Sequence, residues 1–154
     1  MDTVSQKKDL HKTILLIHSE PSIRESLDIV LSYWGWHVLI AGSPREGLQS
    51  AKQHQPDAII FDLSTEGMNF FAFTKQLRGN PLTEDIPMVL IGYATRWLNI
   101  LPFKELNILG TLDYPSDLNQ LRSQLVTILA WEDESSNDFF SYAARDSILL
   151  CPLA

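Results

Sequence analysis

The 154 residues suit one domain with a tail, and at 45% hydrophobic they can bury a core, which excludes wholesale disorder. The net charge of −7 and the scatter of the 12 basic residues speak against a nucleic-acid surface, and no apolar run approaches the ~18 residues of a membrane helix. A polar start without a signal-peptide core, and a lone Cys151 that allows neither an internal disulfide nor a Cys-based metal site, fit a cytoplasmic protein.

Residues 1–11 read as a flexible polar leader. "KTILLIH" (12–18) is a continuous apolar run, expected to be a strand buried on both faces. In "PSIRESLDIVLSYWG", Ile23, Leu27, Val30, Leu31 and Trp34 fall on one helical face, with Pro21 near the start and Gly35 past the end. "WHVLIA" (36–41) is a second strand, and "SPREGLQSAKQH" (43–54) a short helix opened by a Ser cap. "PDAIIFD" (56–62) is a third buried strand ending on an acid, and "LSTEGMN" a loop with Gly67 at its turn. The helix "FFAFTKQLRG" puts Phe70, Phe73 and Leu77 on one side and stops at Gly79. "IPMVLIG" (86–92) is a fourth strand, residues 95–109 a fourth helix interrupted by Pro102, and "GTLDYP" (110–115) a fifth strand. Ser116 then caps a helix striped by Leu118, Leu121, Leu125, Ile128 and Leu129. The alternation predicts an α/β fold, a single doubly wound (βα)5 domain over 12–131 with a parallel five-stranded sheet. An acidic linker, 132–138, and an apolar, aromatic C-terminal tail, 139–154, follow.

The order of elements, with "ILLIHSEPSIRESL", "PDAIIFDLSTEGMN", "LRGNPLTEDIPMVLIG" and "GTLDYPSDLNQL", resembles the receiver domain of bacterial response regulators over residues 12–131. The resemblance implies a flavodoxin-like sheet of order 2-1-3-4-5, with function at the carboxyl ends of the strands. Position by position, it places the phosphoacceptor on Asp62. The family's two metal-binding acids correspond to His18 and Ser19, its phosphoryl-gripping hydroxyl to Gly92, its aromatic switch to Thr111 and its lysine to Tyr114. Mg²⁺ takes oxygen ligands in octahedral geometry and neutralises charge during phosphoryl transfer, which an imidazole and a hydroxyl serve poorly. Glu20 is read as pointing into the turn. The pocket is therefore expected to be degenerate, with no metal, no cofactor and no enzymatic activity.

Two readings stay open at each key position. Asp62 either caps a neighbouring backbone N–H or accepts a phosphoryl group. His18 is either a buried histidine satisfied by the backbone or a hydrogen-bond partner of Asp62 in place of the absent cations. Tyr114 is read as pocket filler, and by resemblance its bond to Pro115 is cis. The leading function is a stand-alone pseudo-receiver, a protein–protein interaction module, because the roughly 20 residues after the domain are too few for an output domain. The alternative is an atypical single-domain response regulator phosphorylated on Asp62 by a histidine kinase. A flavodoxin-like ligand or nucleotide binder is the remote alternative, since no Gly-rich phosphate loop is present. The expected partner is a protein, either unidentified or a second copy meeting the family's docking face of fourth helix, fifth strand and fifth helix. Docking candidates are Trp97, Phe139, Phe140, Tyr142, Ile148 and Leu149. The tail either folds back along its own domain or docks on a partner.

Overall fold

The computed structural model describes residues 12–93, 104–114 and 119–131. Among them are five strands: β1 (Thr13–Ile17), β2 (His37–Ala41), β3 (Ala58–Asp62), β4 (Met88–Gly92) and β5 (Ile108–Asp113). Four helices accompany them: α1 (Pro21–Tyr33), α2 (Pro44–His54), α3 (Phe70–Arg78) and α4 (Asn119–Leu129). The strands form one parallel sheet of order β2-β1-β3-β4-β5, as the sequence predicts. The uninterrupted apolar runs have the expected cause: every residue of β3 and β4 is buried, whereas β2, at an edge, is buried only at Ala41.

Side chains alternate across the sheet and build two cores. Leu15, Ile17, Ile59, Phe61, Met88 and Leu90 face Leu48 and Ala51 of α2 and Phe70, Phe73 and Leu77 of α3. Ile14, Leu16, Ile60, Val89 and Ile91 face Leu27 and Leu31 of α1 and Leu121, Leu125 and Leu129 of α4. Helix starts follow their caps. Ser43 Oγ accepts from Glu46 N–H, while Glu46 reaches back to Gly42 N–H. Asn69 Oδ1 accepts from Ala72 N–H. Gly35, at φ 91°, turns the chain out of α1 in a conformation that costs other residues steric strain.

Two sequence-based boundaries shift. The helix expected over 95–109 does not run to its end: Lys104–Asn107 is a turn, and β5 begins at Ile108. Asn107, at φ 53°, lies in the left-handed region and cannot continue a helix, and its side chain donates to Asp85 O. β5 was expected over 110–115. It starts earlier because the register steps from Met88↔Ile108 to Val89↔Gly110, so Leu109 is accommodated as a bulge. The strand then ends at Asp113, leaving Tyr114 just beyond it. Pro115 with its cis expectation, Trp97 and the whole of 132–154, including Phe139, Phe140, Tyr142, Ile148 and Leu149, lie outside the described residues.

Candidate functional site

The site forms where parallel register aligns the strand ends. Ile17 pairs with Phe61, so His18, the next residue, falls beside Asp62. His18 N–H bonds Ala41 O, Leu63 N–H bonds Ile91 O, and Tyr114 N–H bonds Gly92 O. These bonds carry the ladder one residue past the strands and fix the bases of the functional side chains.

Asp62 and His18 are almost wholly buried, and His18 Nε2 lies 2.8 Å from Asp62 Oδ2. Glu20 N–H donates to His18 Nδ1 at 3.1 Å. Nδ1 is therefore an acceptor, and the ring proton sits on Nε2, aimed at the carboxylate. The Tyr114 hydroxyl lies 2.5 Å from the same Nε2 and also bonds Asp62. Because Nε2 is the donor, the phenol proton is left for the carboxylate. Ser64 adds two donors to Asp62, its hydroxyl at 2.8 Å and its N–H at 3.2 Å. Burial pushes the Asp62 carboxyl up, but the hydrogen bonds from His18 and from the Ser64 hydroxyl and N–H outweigh it and hold it below the usual aspartate range. Burial, the Asp62 charge and its hydrogen bond push the Tyr114 phenol far up, so it stays a donor. Tyr93 packs its ring on Tyr114, centroids 4.7 Å apart, and is itself exposed.

Both readings of His18 hold together, since one nitrogen serves the backbone and the other Asp62. Of the two readings of Asp62, the structure shows the cap, since Asp62 accepts from Ser64 N–H and Oγ. Tyr114 does more than fill space, because its hydroxyl joins the pair. Ser19 is exposed, and the Glu20 carboxylate accepts from Ser22 Oγ at the start of α1. Gly92 is buried, and a Cβ there would sit 3.2 Å from Leu63 Cδ1 and 3.3 Å from its Cβ. Thr111 lies on β5 opposite Leu90, partly buried. Sequence reasoning missed Ser64, Tyr93 and the Glu20 amide. Ser64 carries a signal in hindsight, since a Ser two residues after a buried acid is placed to close a local turn. Among the described residues, no group of three or more His, Cys, Asp or Glu is placed to hold a metal ion, and no helix is long and apolar enough to cross a membrane.

Residues 14–126 match the family described as the response regulator receiver domain. The protein PilH of Pseudomonas aeruginosa is 31% identical over 78 residues, 51% of this chain and 64% of PilH. The DNA-binding response regulator MtrA of Mycolicibacterium smegmatis is 28% identical over 101 residues, 66% of this chain and 40% of MtrA. The matches thus span less than two thirds of either relative. The crystal structure of the chemotaxis response regulator CheY4 of Vibrio cholerae superposes with a TM-score of 0.69 at 24% identity, covering 77% of this chain and 98% of that one, a likeness of fold.

Proposed function

Since this chain belongs to the response regulator receiver domain family, we propose that it is a receiver that works by protein contact and has given up the Mg²⁺-dependent phosphoryl switch. One observation carries the reading. The carboxylate in the phosphoacceptor position is already engaged by His18, Tyr114 and Ser64. The donor set does not fit Mg²⁺, a hard ion that wants several oxygen ligands, commonly carboxylates, in octahedral geometry. Among the described residues, Asp62 is the one carboxylate in this hydrogen-bonded cluster, and the imidazole aims an N–H, not a lone pair, into the site. Turning that lone pair inward would put a proton on Nδ1, against the Glu20 amide. To attack a phosphodonor, the Asp62 carboxylate would also have to give up its hydrogen bonds from the Tyr114 hydroxyl and the imidazole.

The output of such a module is contact with another protein, and its activity is non-catalytic. The DNA binding in the name of MtrA belongs to that protein, of which this chain matches 40%. A second reading is supported by Asp62 itself, whose depressed pKa keeps it ionised as a nucleophile would be. In that reading a histidine kinase phosphorylates Asp62. One experiment separates the two: incubation of the full chain with a small-molecule phosphodonor, with and without Mg²⁺, followed by intact-mass and peptide mass spectrometry. The expected result is no adduct under either condition. A Mg²⁺-dependent acyl phosphate on Asp62 overturns the proposal and establishes the second reading.

A further inference from the structure

A second feature lies away from this pocket. Between β5 and α4 is an open cleft of about 270 Å³, lined by Leu112, Ser123, Gln124, Thr127 and Ile128. Among the described residues, no charged side chain lines it. The volume falls below the ~300–1,000 Å³ typical of small-molecule sites. Shape and chemistry therefore suit one or two inserted apolar side chains better than a metabolite or an ion.

The chain supplies such side chains next to the cleft. α4 ends at Leu129, Ala130 takes a left-handed φ of 53°, and Trp131 N–H bonds back to Val126 O at 3.1 Å. The Trp131 ring meets Trp36 edge-on at 5.5 Å, and Lys12 lies over it. The point from which residues 132–154 depart is thus fixed at the last turn of α4. The seven linker residues 132–138 can span up to about 23 Å, while the 11 residues of α4 rise only about 16 Å. Phe139 can therefore reach any part of the cleft. The linker carries Glu132, Asp133, Glu134 and Asp138, which favour water. The six residues that follow, Phe139 to Ala144, carry no charge and include three aromatics, matching the uncharged lining. A short tether also gives an effective concentration in the millimolar range, so even a weak contact forms within one chain ahead of contact with a second copy at micromolar protein.

We propose that residues 139–149 dock in cis into the cleft between β5 and α4, with Phe139 and Phe140 as the inserted groups. The inference is independent of the phosphoryl reading and holds or fails whatever Asp62 does.

The single cysteine, Cys151, provides the probe. A nitroxide attached there in the full chain is expected to broaden the amide signals of Leu112, Ser123, Gln124, Thr127 and Ile128. The amides of α2, across the sheet, are expected to stay sharp. Thr127→Arg, at an exposed position, is expected to restore the lost intensities. A mixture of isotope-labelled, untagged chain with tagged, unlabelled chain is expected to show none of the broadening. Unbroadened cleft signals, or broadening that survives Thr127→Arg, overturn the proposal. Equal broadening in the mixed sample overturns it too, because the occupant is then a second copy.

Discussion

Asp62 makes the clearest prediction from a single side chain. Its folded pKa is depressed, so the folded state binds fewer protons than the unfolded state below the unfolded value of about 3.9. Its contribution to stability is then complete above that pH and is lost as pH falls through the folded value. Chemical denaturation at a series of acid pH values is expected to show a steeper loss for the native chain than for Asp62→Asn. Parallel curves would remove Asp62 from the acid response. Tyr114→Phe keeps the ring packed against Tyr93 but deletes the phenol donor to Asp62, at an expected cost of about 1 kcal/mol in urea unfolding. The pairing of Asp62 with His18 is legible in the sequence, because the order 2-1-3-4-5 makes strands one and three neighbours. The Tyr93 ring contact and the Glu20 amide are not, since both depend on how the chain turns after a strand ends, where no periodicity exists to read.

Elements carry their own tests. α2 lies so close to β1 that a Cβ on Gly47 would sit 2.5 Å from Ile17 Cδ1 and 2.8 Å from Cγ1. Ala normally favours a helix over Gly by roughly 1 kcal/mol, yet Gly47→Ala is expected to destabilise by about 1–3 kcal/mol through overpacking. Ile17→Val removes the Cδ1 atom, so the double variant is expected to lose less than the sum of the two, a coupling that a double-mutant cycle measures. At the other end of the sheet, the Arg78 guanidinium donates to four carbonyls: Leu106, Thr83, Glu84 and Asn107. It ties the end of α3 to the loops before β4 and β5. Arg78→Lys keeps the charge and loses the fork, and a loss of about 2–3 kcal/mol in denaturant unfolding is expected. These elements were readable where period and caps agreed, as at Ser43 or at the Phe70, Phe73 and Leu77 stripe. The sequence places the start of β5 at Gly110, whereas the bulge at Leu109 lets the strand begin at Ile108 and run through it.

For the molecule as a whole, the two cores share five strands and nothing separates them into independent units. Phe73→Ala on one face is expected to cost about 3–5 kcal/mol and Leu125→Ala on the other about 2–5 kcal/mol. Both should shift one common transition, seen alike by circular dichroism and by fluorescence. Fluorescence favours one side, because Trp34 and Trp36 flank Arg122, and Trp131 adjoins Trp36. A Phe73→Ala chain whose two probes separate would show two cooperative units. Topology was legible as a whole because alternating buried strands and amphipathic helices admit few arrangements. The cleft beside α4 was not, since a gap between elements leaves no trace in composition. Gly92 and Leu63 extend the same logic to descent. Any side chain added at 92 must push Leu63 aside by a few tenths of an ångström. Position 92 is therefore not free to drift alone: in the lineage of this chain, a serine or threonine there is expected to arrive together with a smaller neighbour at 63.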